Sequence, residues 1–436
     1  MVQNDVGVLV PKVMLPPRGA DFSRWAVVAC DQFTSQPEYW QQARAYIGDA
    51  PSTLDLILPE AFLGKPDEPQ RIAEIRRKMR EYLDNGVLRE LKEGFVLVRR
   101  TAAGNTRCGL VLALDLECYD YNKGSTTLIR ATEGTIVSRI PPRLRIREGA
   151  PVELPHILVL IDDPNRTVIE PLLTKTAQLE QLYDTDLMLG GGHITGWLVD
   201  GAAEIEAVLG ALRNLTDPKT FRAKYGDRAP LLFAMGDGNH SFATAKANWE
   251  KLKPTLSEAE RATHPARYAL VEIENVHDDG IVFEPIHRVV FGLGGRDGIA
   301  LLADELRQQN GAVTVEYGEP KPACGGKTHT IPFYTDGLSG TIIVEKPVHQ
   351  LAVGTLQNAI DALLKAHPGE VDYIHGDAVT RQLSAKPDAM GFLLPAMQKS
   401  ELFPTVVFDG ALPRKTFSMG EANEKRYYLE CRKIEP

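Results

Sequence analysis

The sequence has few cysteines, and no two of them lie at a short spacing. Its five cysteines are scattered between Cys30 and Cys431, and no Cys-x-x-Cys motif occurs. This usage fits neither a disulfide framework nor a zinc ribbon, so we expect reduced thiols in a cytoplasmic protein. The ten histidines do not fall at zinc-ligand spacings either.

Long apolar runs and an excess of positive charge are also missing. No stretch has membrane-spanning length, and residues 1–17 show no basic segment followed by an apolar core, so we expect neither a membrane anchor nor a secretory signal. The net charge of −9 argues against a broad nucleic-acid surface. A small basic pocket for one anionic ligand remains compatible with this charge.

Several catalytic motifs are absent. Residues 325–328, Gly-Gly-Lys-Thr, resemble the end of a Walker A loop, but Lys321 stands where that loop requires its first glycine. No GxGxxG, HExxH or GxSxG sequence occurs. P-loop, Rossmann, zinc-protease and α/β-hydrolase chemistry are therefore unsupported.

Strand-like and helix-like segments alternate irregularly over the 436 residues. This pattern predicts an α/β or α+β fold with mixed sheets and two to three subdomains. We expect an N-terminal α/β region at 1–125, a central region at 126–295, and a C-terminal α/β region at 296–436 that packs back on the site. Apolar periodicity predicts surface helices at 67–86 and at Glu170–Tyr183.

The most informative stretch is residues 231–250. Its apolar start, Leu231–Met235, predicts a buried strand, and a helical pattern begins after a glycine turn. The turn and the first helical residues are Gly236, Asp237, Gly238, Asn239, His240 and Ser241. Glycines let the backbone approach a ligand, and a helix N-terminus attracts anions. The alternative is a strand followed by a helix that Asp237 or Asn239 caps.

A second polar turn follows the predicted strand at 25–30. Asp31, Thr34 and Ser35 stand between this strand and a helix that opens near Pro37. These residues could contact a ligand at the end of the strand. From the sequence alone, a capped helix is the favoured interpretation.

Residues 129–148 concentrate positive charge in an otherwise acidic protein. The five arginines of this segment are Arg130, Arg139, Arg143, Arg145 and Arg147. Arginine suits bidentate recognition of phosphate or carboxylate, and Glu133 and several hydroxyl residues lie between these arginines. The segment therefore favours an anion site over its alternative, a basic surface loop.

Other polar residues lie within predicted strands or loops. His193 lies in a predicted strand at 190–200. His287 and Arg288 lie in another at 281–291, and such a pair is either a satisfied core pair or a ligand contact, with the core pair favoured. Lys415 belongs to a polar C-terminal loop.

Six ordered blocks along the chain resemble the domain-of-unknown-function family 1015. They are CDQFTSQPEYW at 30–40, RATEGT at 130–135, GGGHITGWLVD at 190–200, GDGNHS at 236–241, EPIHRVV at 284–290 and LPRKTFSMG at 412–420. The usual family form of the central motif is Asp-Gly-His-His-Arg, so Ser241 stands where relatives have arginine. The motif is also similar to the Asp-Gly-His-x-Arg turn of ParB/sulfiredoxin-like proteins, which binds nucleotide phosphates.

The resemblance implies a ParB/sulfiredoxin-like central region and a phosphotransferase. Free-serine kinases share that fold, and pyrophosphate-dependent serine kinases are similar to this family. The implied reaction moves a phosphoryl group from pyrophosphate or a nucleotide to the hydroxyl of a small amino acid, most readily free L-serine, with Mg²⁺. We expect the protein to bind a small-molecule substrate and a phosphate-containing donor, and neither nucleic acid nor a membrane. A homo-oligomeric state is compatible with this hypothesis.

Under this hypothesis Asp237, Glu133 and His240 are catalytic, and Asp237 also holds the metal. The phosphate-binding residues are Gly236, Gly238, Asn239, Ser241, Arg139, Arg143, His287, Arg288 and Lys415. The substrate-binding residues are Asp31, Thr34, Ser35 and His193. The alternative is a non-catalytic anion- or nucleotide-binding regulatory protein of the same fold, which the missing arginine favours.

Overall fold

The chain forms two compact units. The computed structural model describes residues 6–122, 124–413 and 415–436. One unit comprises the chain up to Val282 together with Gly420–Pro436, and the other comprises Phe283–Met419. The predicted regions 1–125 and 126–295 both supply strands to the large sheet of the first unit, so the units follow other boundaries than those regions.

Helices occur in both units. In chain order they are α1 (Phe22–Trp25), α2 (Pro37–Ile47), α3 (Glu68–Asp84), α4 (Ile140–Arg147), α5 (Glu170–Leu173), α6 (Ala202–Leu215), α7 (Pro218–Tyr225), α8 (Asn239–Leu252), α9 (Glu258–Thr263), α10 (Gly295–Gln309), α11 (Ala352–Ala366), α12 (Asp377–Ser384) and α13 (Leu402–Phe408). The surface helix predicted at 67–86 is confirmed as α3, which buries Ile72, Ile75 and Met79 on one face. In the described part of the chain, no helix is both long and apolar enough to cross a bilayer.

The strands of the first unit build one large sheet and three short pairs. They are β1 (Val8–Leu9), β2 (Met14–Leu15), β3 (Val27–Val28), β4 (Arg89–Glu90), β5 (Phe95–Ala102), β6 (Asn105–Asp115), β7 (Tyr119–Asp120), β8 (Ile129–Arg130), β9 (Val152–Glu153), β10 (Leu158–Ile161), β11 (Glu180–Leu187), β12 (Gly192–Val199), β13 (Phe233–Asp237) and β14 (Tyr268–Asn275). The large sheet has the order β11-β12-β5-β6-β14-β10-β13-β8-β7, with β1 on β6. Parallel pairs (β10 with β14, β13 with β8, and β8 with β7) lie among antiparallel ones, which confirms the predicted mixed α+β fold.

The second unit holds its own sheet. Its strands are β15 (Glu284–Phe291), β16 (Val313–Tyr317), β17 (Thr328–Thr335), β18 (Leu338–Glu345), β19 (Glu370–His375), β20 (Ala389–Phe392) and β21 (Phe417–Ser418). They pair in the order β16-β18-β17-β20-β15-β19, with β21 on β15. The chain then returns to the first unit with β22 (Tyr427–Tyr428), which pairs with β3, and β23 (Arg432–Lys433), which pairs with β9.

The large sheet is covered on both faces. Along β5, Phe95 and Leu97 pack into one apolar core, whereas Val96 and Val98 pack into the other. Successive side chains of a strand point to opposite faces, so a continuous apolar run fits a strand buried on both sides.

The helix predicted at Glu170–Tyr183 is not continuous, and its last four residues form a strand. α5 covers Glu170–Leu173, a short 3₁₀ helix covers Thr176–Gln178, and β11 begins at Glu180 and pairs with β12. Long-range strand pairing therefore overrides the local helical pattern in this segment.

Candidate anion-binding site

The glycine turn follows the C-terminal end of β13, an interior strand of the large sheet between β10 and β8. β13 is antiparallel to β10, with Asp237 opposite Leu158, and so reaches two residues beyond the predicted strand end at Met235. Gly238 follows with φ of 75°, a left-handed conformation that favours glycine. A Cβ on Gly238 would lie 3.1 Å from Ile157 Cα, so the turn packs directly against the backbone before β10.

No side chain caps the first turn of α8. The N-cap is Gly238, and no described side chain accepts a hydrogen bond from the backbone N–H of Asn239, His240 or Ser241. The capping alternative is therefore wrong for Asp237, because its Oδ1 accepts the Gly238 N–H at 2.8 Å instead. It is also wrong for Asn239, which is the first helical residue and has a buried Oδ1 without a hydrogen-bond partner. Uncapped amides at a helix N-terminus favour anions.

Asp237 is paired with a lysine that returns from the C-terminal end of the chain. Lys425 Nζ lies 3.1 Å from Asp237 Oδ2, and the two side chains are 15% and 25% exposed. Burial alone raises the pKa of Asp237, but the charge of Lys425 and then that of His156 outweigh it and leave this pKa below its ordinary value. The turn therefore carries an ionised carboxylate and an ammonium group side by side.

His156 is a buried histidine two residues before β10, on the same side of the sheet as the turn. Its Nε2 lies 3.1 Å from Ser241 Oγ, and its Nδ1 lies 2.7 Å from Tyr428 Oη. Asp31 Oδ2 is 3.6 Å from the same Nε2. Pairing of β3 with β22 brings Asp31 and Tyr428 together, while pairing of β10 with β13 brings His156 beside the turn.

His240 is half-buried, and its ring faces positive charge. Its Nε2 accepts the Ile136 N–H at 3.3 Å. Burial, followed by the charges of Arg143 and Arg139, lowers the pKa of His240 to about 4. At neutral pH this imidazole is therefore an uncharged acceptor, and both predicted phosphate-binding arginines lie close enough to influence it.

The five arginines of residues 129–148 differ in their burial and in the groups that they contact. Arg130 is buried, and its guanidinium donates to the carbonyl oxygens of Thr127, Ala229 and Pro230. On α4, which packs on α8, three arginines form ion pairs: Arg143 with Glu60, Arg145 with Glu68, and Arg147 with Glu153. Arg139 is exposed.

The RATEGT block runs beside the turn, because β8 and β13 are parallel neighbours and their C-terminal ends lie on the same side of the sheet. Thr132 Oγ1 donates to the Met235 carbonyl oxygen at 2.6 Å. Glu133 follows Thr132 directly and is partly exposed. The sequence blocks at 130–135 and 236–241 therefore meet in space.

A small cavity opens beside Ser241 and His156. Its volume is about 130 Å³, and its lining includes Glu60, Arg143 and Tyr428 among mostly apolar groups. Pockets for drug-sized ligands usually measure about 300–1,000 Å³, so this cavity suits a much smaller molecule. A larger groove of about 750 Å³ runs along α2 and α3, but none of the predicted site residues lines it.

Three residues of the first unit that were predicted to bind substrate do not join this constellation. Thr34 and Ser35 are exposed in the loop before α2. His193 lies on β12, five strand positions from β13 in the sheet order, and bonds Asp184 and Asp186 at 2.8 Å each. His193 is therefore a surface histidine between two carboxylates, and only Asp31 of the predicted substrate ligands lies near the turn.

The remaining predicted ligands belong to the second unit. Arg288 is fully buried and donates to Gln357 Oε1 and to the carbonyl oxygens of Ile286 and Lys415. His287 is also buried, and its Nε2 lies 2.8 Å from Asp377 Oδ1. Lys415 is exposed, and its neighbour Arg414 lies outside the described residues. Because the groups of His287 and Arg288 are engaged within their own unit, we do not include these two residues in the site.

The residues of the turn do not fit a protein-held Mg²⁺. Among the described residues, no group of three or more histidine, cysteine, aspartate or glutamate side chains could hold a metal ion. Asp237, the predicted ligand, uses Oδ1 for the Gly238 amide and Oδ2 for Lys425. Mg²⁺ demands near-ideal octahedral oxygen geometry, which a single engaged carboxylate does not supply.

Three residues of the site were missed from the sequence: His156, Lys425 and Tyr428. His156 stands in an apolar run (LPHILVLI), where a histidine reads as a core residue. Lys425 and Tyr428 lie near the C-terminal end of the chain, almost 190 residues after the turn. The only signal was the density of charged residues in an otherwise strand-like segment, KRYYLECRK.

The fold and the turn thus define a mixed α/β protein with an anion-binding helix N-terminus. The chain belongs to the family described as a protein of unknown function, DUF1015, whose profile matches residues 14–363. No curated protein matches the chain by sequence.

Several solved structures are similar to the chain at a distance. A conserved hypothetical protein from Pyrococcus furiosus is 10% identical, with a TM-score of 0.35, over 74% of this chain and 95% of that one. A free serine kinase in complex with AMP is also 10% identical, with a TM-score of 0.35, over 74% and 91%. SbnI with a C-terminal truncation, from Staphylococcus aureus, is 11% identical, with a TM-score of 0.35, over 71% and 83%. At these values the likeness is too distant to indicate an activity.

Proposed function

We propose that this protein transfers a phosphoryl group from pyrophosphate or a nucleotide to the hydroxyl of a small amino acid. The observation that carries the proposal is the uncapped first turn of α8, with Lys425 beside it and the charges of Arg139 and Arg143 near it. The sequence blocks resemble a family to which pyrophosphate-dependent serine kinases are similar, so free L-serine is the first acceptor to test. The product is then O-phosphoserine.

The donor phosphates bind at the turn in this proposal. The N–H groups of Asn239, His240 and Ser241 offer hydrogen bonds to phosphate oxygens, and the helix dipole adds a favourable field. Lys425 supplies a positive charge at the turn, where Ser241 stands in place of the arginine of the usual family motif. Neutral His240 accepts rather than donates in its contact with the Ile136 amide, so it does not repel the cationic groups around it.

The acceptor binds in the cavity of about 130 Å³. Its lining includes the ion pair of Arg143 and Glu60. A free amino acid would exchange this pair for two new ones, with its carboxylate on Arg143 and its ammonium group on Glu60. His156, held by Tyr428 and placed 3.6 Å from Asp31, is the base that receives a hydroxyl proton. Phosphoryl transfer depends mainly on such positioning and charge neutralisation.

The direct test is a phosphoserine assay on the purified protein. Serine is supplied with pyrophosphate, ATP or ADP in separate reactions, each with and without Mg²⁺. Product with one donor would support the proposal and identify that donor. A folded sample that makes no product with any donor would contradict it.

Lys425→Met is the informative variant for this assay. Removing the ammonium group should lower turnover by on the order of 10²-fold, because one charge-assisted contact to the transferring phosphoryl group is lost. Lys219→Met, at an exposed position on α7, is the matched control and should keep full activity. Equal rates for the two variants would remove Lys425 from the mechanism.

A second candidate function is anion binding without catalysis. It is favoured by Ser241, because the arginine of the usual family motif is absent from the turn. A binding protein would show a saturable rise in melting temperature with pyrophosphate or a nucleotide and no phosphoserine.

A further inference from the structure

Ser241 and His156 form a hydroxyl–imidazole pair, and the Ser241 hydroxyl has no role in the phosphoryl transfer proposed above. Ser241 Oγ lies 3.1 Å from His156 Nε2, and His156 is 6% exposed. A hydroxyl becomes a nucleophile when a base lies within hydrogen-bond reach and a third group orients that base. Tyr428 is the third group, because its oxygen lies 2.7 Å from His156 Nδ1 and also accepts the Cys30 N–H at 3.2 Å.

The surroundings favour proton transfer from Ser241 to His156. Asp31 Oδ2 lies 3.6 Å from His156 Nε2, and the ionised carboxylate of Asp237 belongs to the same turn as Ser241. Two carboxylates stabilise the imidazolium that forms when His156 takes a proton.

Ser241 also borders both halves of the proposed site. It belongs to the first turn of α8, where the donor phosphates bind, and it lines the cavity of about 130 Å³ assigned to the acceptor. A phosphoserine at this position would carry its negative charge at a helix N-terminus, where the dipole stabilises it.

We propose that Ser241 is the first acceptor of the phosphoryl group, so that transfer proceeds through a phosphoserine on the protein. This inference rests on the proposed function and adds a covalent step to it, in which His156 takes the proton of Ser241 and Asp31 takes that of the acceptor. His156 Nε2 takes the proton of the Ser241 hydroxyl, Oγ bonds to the terminal phosphorus of the donor, and the bond from that phosphorus to its bridging oxygen breaks. Phosphate or the shortened nucleotide leaves with that electron pair.

The second step returns Ser241 to its starting state. The hydroxyl oxygen of the small acceptor bonds to the phosphorus, and the bond from phosphorus to Ser241 Oγ breaks. Imidazolium His156 gives its proton to Ser241 Oγ, and the acceptor proton passes to Asp31 and then to water. The net reaction is the same transfer as before, with one proton released.

The test is a labelling experiment without acceptor. The full chain is incubated with terminally ³²P-labelled pyrophosphate, ATP or ADP, and labelled peptides are mapped by mass spectrometry. We expect one label per chain on Ser241, and serine added afterwards should discharge it as O-phosphoserine. Ser241→Ala should take no label and lose turnover by on the order of 10³-fold, whereas Ser241→Thr, which keeps a hydroxyl, should retain part of both.

Two further variants separate chemistry from folding. His156→Gln, with an unchanged melting temperature, should slow labelling by on the order of 10²-fold, because the base is lost. Ser138→Ala, at an exposed serine before α4, is the control and should label as the wild type does. Ser241→Ala that makes phosphoserine at the wild-type rate would overturn the covalent step and leave the kinase function standing. A wild type that gives neither label nor product would remove both proposals.

Discussion

Two groups of residues that the sequence assigned to one phosphate site differ in what their polar atoms already bind. Arg288, in the second unit, is fully buried, and its guanidinium is used by Gln357 and by backbone carbonyl oxygens. At the turn of the first unit, the opening amides of α8 have no side-chain cap. Beside them lies Lys425, which the sequence did not predict and which is partly exposed and paired with Asp237. A buried guanidinium that donates to groups of the surrounding chain stabilises the fold and has no donors left for a ligand. Uncapped backbone amides beside a lysine can instead donate hydrogen bonds to a bound anion.

The largest expected effect lies on the structural side of this comparison. Arg288→Leu would leave the acceptors of Gln357, Ile286 and Lys415 without their buried donor, so we expect a loss of about 3 kcal/mol or more in the free energy of unfolding. Arg381→Leu is the control, because Arg381 is exposed over the Tyr334 ring in the same unit and should cost less than about 1 kcal/mol. Denaturant unfolding followed by circular dichroism measures both, and similar costs would break the comparison.

The next effect concerns the turn itself. Gly238→Ala forces a side chain into a backbone with φ of 75° and places its Cβ 3.1 Å from Ile157 Cα. We expect a loss of about 2–3 kcal/mol in the free energy of unfolding and a weaker melting shift with pyrophosphate. Gly226→Ala has φ of 67° with no atom within 4 Å of the new Cβ, so it should cost only about 1 kcal/mol and leave the pyrophosphate response intact. Equal responses of the two variants would separate the turn from anion binding.

The smallest expected effect is a difference in side-chain pKa between His240 and His193, two histidines of the first unit. Burial and then the charges of two arginines lower the pKa of His240 to about 4, whereas hydrogen bonds to Asp186 and then Asp184 raise the pKa of His193 above its ordinary value. Imidazole NMR titration should therefore find His240 neutral and His193 charged at about pH 6.

The two histidines should also act on stability in opposite directions. The unfolded chain protonates a histidine near about pH 6.5, but folded His240 resists until about pH 4, so its contribution falls as the pH drops through that window. Because His240 is half-exposed, we expect about 1 kcal/mol, and His240→Gln should remove this slope. The contribution of His193 is present below about pH 6.5 and is lost as the pH rises through its raised folded pKa. A His240 that titrates near its ordinary pKa would show that Arg139 and Arg143 lie away from the turn.

Local patterns in the sequence identified the turn and the class of fold. The apolar run before Gly236 predicted the strand, and the glycines with the helical pattern after them predicted the start of α8. Whether a side chain caps that start stayed open until the structure placed Asp237 and Asn239. Alternating strand-like and helix-like segments predicted mixed sheets, and six ordered blocks identified the family. The segment at 170–183 shows the limit of such reasoning, because its strand forms only by pairing with β12.

By itself, the sequence determined the local features of this protein: the glycine turn, the start of α8, the arginine-rich segment and the family. Only the tertiary structure decided which distant groups meet that turn. Register between β10 and β13 brought His156 to it, and pairing of β3 with β22 brought Asp31 and Tyr428. The tertiary structure also decided which histidines and arginines bind groups within the protein and are therefore not available to a ligand, as is the case for Arg288. The reason is physical: helix and turn propensities act over a few residues, whereas burial, strand register and partner choice depend on the whole fold.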